Sequence, residues 1–124
     1  MNNKRPVNLD LGTISMPITA ITSITHRISG VALFVGVGIL MWLLDMSLAS
    51  EDGFNSVKMI FDSFICKLIV WGVLIALIYH TAAGVRHLIM DLGIGETMEG
   101  GVTGARIVWI VTAILSVLVG AAIW

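Results

Sequence analysis

Three stretches of this chain contain no Asp, Glu, Lys or Arg: Ile28–Leu44, Leu68–Val85 and Ile107–Trp124. Each is 17 or 18 residues long. At about 1.5 Å rise per residue, a helix of that length covers roughly 26 Å. Snorkelling side chains at the flanks extend the reach to a hydrocarbon core about 30 Å thick. The expected fold class is therefore an all-α membrane protein with three transmembrane helices in an antiparallel up-down-up bundle. Residues 1–17 are polar with two prolines and read as an N-terminal cytoplasmic arm. The transmembrane domain then occupies 18–124, with spans at about 22–48, 64–90 and 105–124.

Composition agrees with this reading. The chain is 57% hydrophobic and 12% charged, whereas a soluble domain carries roughly 25% charge. A cleavable signal peptide explains the first apolar run poorly, because the run exceeds the usual apolar core of about 7–15 residues. Two spans would in any case survive its removal. Cys66 is the only cysteine, which rules out an intrachain disulfide and a cysteine-built zinc site. It reads as a small apolar residue near a helix start. No basic tract is present, and nucleic acid is not an expected partner.

Lys and Arg near the spans set the orientation. Lys4, Arg5, Arg27, Arg86 and Arg106 fall on the N-terminal side, and only Lys58 and Lys67 on the other. The N-terminus is expected in the cytoplasm and the C-terminus across the membrane. Pro17 suits a helix beginning near Ile18. Asp45 to Asp62 reads as an acidic far-side connection with turn chemistry in SEDGFNS, and Asp91 to Gly104, with six glycines, as a flexible near-side one. Trp42, Trp71, Trp109 and Trp124 lie mostly near span ends, as interfacial anchors would. Small residues at four-residue spacing, Ala32/Gly36, Ala76/Gly84 around His80, and Ser116/Gly120, would let helix backbones approach closely. No internal repeat suggests an inverted-topology transporter.

The polar groups inside the spans need a reason. His80 lies six residues before Arg86 and so about 9 Å inside the near-side boundary, with Lys67 about 20 Å away at the other end. An ionisable group at that depth must find a partner within protein and is by default functional. His80, Gly84 and His87 share one helix face. A neutral imidazole offers one lone pair to a metal while its other nitrogen fixes the tautomer. A glycine one turn away leaves room for a broad planar ligand, which together suits an axial haem ligand. A histidine hydrogen-bonded to a neighbouring helix satisfies the same spacing. If haem is held by two protein ligands, the second must come from another chain, because only one deep histidine is present.

Arg86 and His87 fall at the near-side interface, and the antiparallel first helix brings Ser23, His26 and Arg27 to the same level. Anionic propionates would sit there, within reach of Arg and His. Arg27 and Arg86 read equally as snorkelling topology signals. Ser23 lies one turn before Arg27, and a hydroxyl beside a fixed cation suits a carbonyl that gains negative charge on reduction.

Two signatures carry a resemblance. RPVNLDLGTISMPITAITSITHRISG and YHTAAGVRHLIMDLG resemble the cytochrome b subunit of succinate dehydrogenase, the larger of two membrane anchors of respiratory complex II, and the similarity runs over nearly the whole chain. The resemblance implies that electrons from succinate pass through a flavoprotein subunit and an iron–sulfur subunit to ubiquinone. It implies Ser23 and Arg27 as quinone-site residues and His80 as an axial ligand of haem b. The other ligand would come from a second, smaller membrane anchor. His26, Arg27, His87 and Arg86 would lie near the haem propionates or the quinone pocket. Asp91, one turn beyond His87, would tune that histidine or assist proton delivery, though it also reads as an ordinary helix-end carboxylate. The implied location is a bacterial inner membrane, and the arm with Asp10 lacks the look of a transit peptide. A fumarate reductase anchor, a purely structural anchor without cofactor, and a small transporter are the competing readings. The transporter is disfavoured by the single deep ionisable residue.

Overall fold

A computed structural model describes residues 17–124, and these form four helices. They are α1 (Ile18–Ala49), α2 (Glu51–Asp62), α3 (Phe64–Asp91) and α4 (Met98–Ile123). No strand is present among the described residues. Helices α1, α3 and α4 are long and apolar enough to cross a membrane. The arm expected at residues 1–17 falls, apart from Pro17, outside the described residues.

Helix α1 starts after Pro17, whose carbonyl accepts from Ile21 N at 3.1 Å. It runs antiparallel to α3, since Thr22 meets Tyr79 near one end and Gly36 meets Val73 further along. Helix α4 runs back along α3, pairing Arg86 with Gly101, Tyr79 with Trp109 and Trp71 with Ser116. The up-down-up order is thus present, with α3 packed against both neighbours.

Close approach depends on two glycines. A Cβ on Gly36 would come within 2.7 Å of Val73 Cγ2, and one on Gly120 within 3.0 Å of Trp71 Nε1. In lipid, where burial alone gives little drive to associate, such backbone proximity supplies the packing energy.

The best-buried joint lies where the three long helices meet. Tyr79, Ala83 and Val108 form its apolar part, with Ala82 and Trp109 packed against them. Tyr79 donates its phenolic O–H to Thr22 O at 2.6 Å, and Trp109 Nε1 donates to Thr22 Oγ1 at 3.0 Å. Thr22, fully buried, is thus bonded by both other long helices. Trp109 and Trp71 do not behave as interfacial anchors. Each indole N–H is spent inside the bundle, Trp71 Nε1 on Ser116 O at 2.8 Å. An N–H shielded from water must find an acceptor.

The two connections differ from the sequence reading. Residues 51–62 are a helix rather than a turn-rich segment. Ser50 caps it, accepting from Gly53 N at 2.9 Å, and Glu51 and Asp52 occupy the first turn where they complement the helix dipole. Gly53 permits the tight fold-back onto α1, because a Cβ there would strike Met46 O. On the near side, helix α4 begins at Met98, within the glycine-rich segment. Thr97 caps it by accepting from Gly100 N at 3.0 Å. The turn itself is confined to a few residues by Gly93 and Gly95, whose φ values of +82° and +74° suit glycine alone. Cys66 is buried and free near the start of α3, where Ser63 Oγ accepts from its N–H at 3.2 Å.

Candidate functional site

Three histidines converge between α1 and α3. His26 lies two turns into α1, whereas His80 and His87 stand on one face near the C-terminal end of α3. The His26 and His80 rings stack with centroids 4.1 Å apart and planes 8° from parallel. His87 approaches His26 at 5.1 Å with a 59° tilt. All three are only half-buried, so one side of the group opens away from the bundle.

Helix α1 holds His80 in a defined state. Ser29 donates its only hydroxyl proton to His26 O at 2.7 Å. His80 Nδ1 lies 3.0 Å from the same Ser29 oxygen and 3.2 Å from His26 O. A carbonyl can only accept, and the Ser29 proton is already engaged, so Nδ1 must carry the ring proton. In the neutral ring the lone pair then resides on Nε2. Ser29 and Gly30 were present in the motif SITHRISG but had no assigned role. Gly30 is the seat of the imidazole, since a Cβ there would come within 3.2 Å of His80 Cε1.

Gly84 has a different neighbour from the planar ligand expected beside it. A Cβ at Gly84 would lie 3.6 Å from His26 Nε2, so the space it leaves faces the His26 ring. His26 Nε2 is itself buried and has no hydrogen-bond partner among the described residues. A buried nitrogen of this kind next to an open-sided group is a point where a polar ligand group can bind.

Other sequence-derived candidates separate into two groups. Ser23 and Arg27 occupy α1 one turn apart, Ser23 half-buried and Arg27 exposed, next to His26 in sequence and at the same end of the bundle. Asp91 is the last residue of α3 and exposed. Arg86 turns elsewhere. It is 9% exposed and packs on α4, with Nη2 donating to Gly101 O at 3.2 Å. Its side chain is not gathered with the three histidines. The separation follows from helical geometry, because Arg86 precedes His87 by one residue and so points about 100° away around α3.

Comparison with known proteins agrees with the resemblance. Residues 1–120 match the family model described as succinate dehydrogenase/fumarate reductase transmembrane subunit. A succinate dehydrogenase cytochrome b556 subunit of Coxiella burnetii is 43% identical over 125 residues, covering 100% of both chains. The protein of the same name from Paracoccus denitrificans is 37% identical over 95 residues, 77% of this chain and 73% of that one. A mitochondrial cytochrome b560 subunit from Sus scrofa is 30% identical over 121 residues, 94% of this chain and 70% of the other. The chain therefore belongs to the succinate dehydrogenase/fumarate reductase transmembrane subunit family, among the cytochrome b membrane subunits of succinate dehydrogenase.

Proposed function

We propose that this chain anchors the iron–sulfur and flavoprotein subunits of a succinate:ubiquinone oxidoreductase, holds haem b jointly with a second, smaller membrane anchor, and forms part of the ubiquinone site. The single observation that carries the haem assignment is the position of His80 Nδ1 between two acceptors. A protonated Nδ1 held by backbone and hydroxyl oxygen is the arrangement that orients a metal-binding imidazole and raises its basicity. His80 Nε2 would ligate the iron. Haem b supplies a one-electron redox centre when bound. The buried, unpartnered His26 Nε2 supports a polar group of the same ligand beside it, and His87 would complete that edge. These features fit the group.

Ser23 and Arg27 would serve the quinone. The Ser23 hydroxyl donates to a quinone carbonyl oxygen, and the Arg27 guanidinium stabilises negative charge as that oxygen is reduced. Both stand one or two turns from the α1 N-terminus, at the level where a ring can enter from the membrane while electrons arrive from a soluble subunit. The cytoplasmic N-terminus inferred from the Lys and Arg distribution puts this end on the cytoplasmic face of a bacterial inner membrane. Haem content of the complex purified with all its subunits tests the proposal. One haem b per copy of this chain is expected, and a haem-free complex with normal succinate oxidation would leave only the structural-anchor reading.

A further inference from the structure

Arg86 is the only buried charged side chain among the described residues. It makes one hydrogen bond, from Nη2 to Gly101 O. Nε lies over Gly104, where a Cβ would be 3.3 Å away, and it is buried without a partner. No carboxylate among the described residues lies within ion-pair distance of Arg86. A full cation set among apolar groups with one neutral carbonyl needs a counter-anion.

The same side chain lines a groove of about 380 Å³ between α3 and α4. The rest of its wall is aliphatic or glycine, chiefly Val85, Ile89, Met90, Ile107 and Val111. Val85, Ile89, Ile107 and Val111 are exposed, so the groove faces outward from the bundle. Arg86 stands five residues before the end of α3, about 7.5 Å from it. That depth is within reach of the lipid phosphate level for a side chain of this length. One turn of a helix about 10 Å across already takes up roughly 400 Å³. The groove is therefore sized for a hydrocarbon chain rather than a partner helix.

We propose that the groove is a binding site for one anionic phospholipid. The phosphate pairs with the Arg86 guanidinium, and an acyl chain lies along Val85, Ile89, Ile107 and Val111. The proposal is independent of the haem and quinone assignments. The exposed carboxylates of Asp91, Glu96 and Glu99 adjoin this end of the groove in sequence and set a limit on its affinity for a free anion. Apolar contact is required in addition.

The test uses the whole purified complex in nanodiscs of phosphatidylcholine alone or with a minor fraction of phosphatidylglycerol. After detergent extraction and washing, bound phospholipid is counted by mass spectrometry. Wild-type complex should retain about one phosphatidylglycerol per copy of this chain, and Arg86→Leu at least tenfold less. Because Arg86→Leu risks misfolding, Ile107→Trp supplies a second arm, filling the groove from an exposed position while keeping the charge. It too should lose retention. Inorganic phosphate added to the phosphatidylcholine sample should not protect the complex against heat, whereas phosphatidylglycerol should. Equal retention in wild type and Ile107→Trp overturns the proposal. So does an intact, lipid-free wild type from which Arg86→Leu sheds a partner subunit, since a protein carboxylate would then be the counter-anion.

Discussion

Ser29 and His80, 51 positions apart in sequence, meet through Oγ and Nδ1 at 3.0 Å, and that contact determines which nitrogen of the imidazole is free to bind iron. It joins α1 to α3 at the point where the histidine stack begins. Ser29→Ala removes one of the two acceptors facing Nδ1 and leaves the longer bond to His26 O. Loss of an outer hydrogen bond to a metal ligand typically costs 10–100-fold in affinity. The variant complex should lose haem faster during dilution in detergent and show a shifted haem midpoint potential. Unchanged retention and potential would remove Ser29 from the site.

The quinone assignment makes a separable prediction. Ser23→Ala removes a donor to the reacting oxygen, an effect of about 2.7–4 kcal/mol on a barrier when such a group is lost. Quinone-dependent turnover should fall roughly 10²–10³-fold. Arg27→Leu should act in the same direction. Haem absorbance should persist in both variants, because neither residue touches His80. Full turnover with ubiquinone in both would contradict the assignment.

Packing of α1 on α3 can be tested by two glycines only two residues apart. Gly36→Ala would put Cβ 2.7 Å from Val73 Cγ2, and valine, β-branched, has little freedom to yield. Overpacking of this kind costs typically about 1–3 kcal/mol. Gly38→Ala meets nothing within 4 Å and gains helix propensity. Thermal denaturation of the detergent-solubilised complex should show a lowered midpoint for Gly36→Ala and an equal or raised one for Gly38→Ala. Equal shifts would mean that the close approach at Gly36 contributes nothing.

The buried joint at Thr22 has its own signature. Thr22→Val keeps the side-chain shape but removes the acceptor for Trp109 Nε1, leaving a buried N–H without a partner, at a cost of about 1–3 kcal/mol. Lower thermal stability with unchanged haem content is the expected result. An unaffected midpoint would show that the indole finds another acceptor.

The spans were legible because charge is too costly in hydrocarbon to be scattered at random, so its absence over 17 or 18 residues is informative on its own. The same logic singled out His80 by depth. The helix at Glu51–Asp62 was obscured because Ser, Asp, Gly and Asn favour turns as strongly as they favour helix caps. What lay beyond the sequence was azimuth between helices. Ser29 and Gly30 stood inside the motif that drew notice, but their relation to His80 exists only once α1 and α3 are docked. Arg86 and His87, adjacent in sequence, belong to different faces for the same reason. Trp109 read as an interfacial anchor, whereas its acceptor, Thr22, lies 87 positions away on another helix.

Reduced-minus-oxidised difference spectroscopy of the purified complex, wild type beside His80→Leu, bears most directly on the central claim that this imidazole ligates iron through Nε2. A low-spin b-type haem signal is expected in the wild type, abolished or converted to a different coordination state in the variant. An identical signal from both proteins would exclude His80 as a ligand and leave the histidine stack without its proposed purpose.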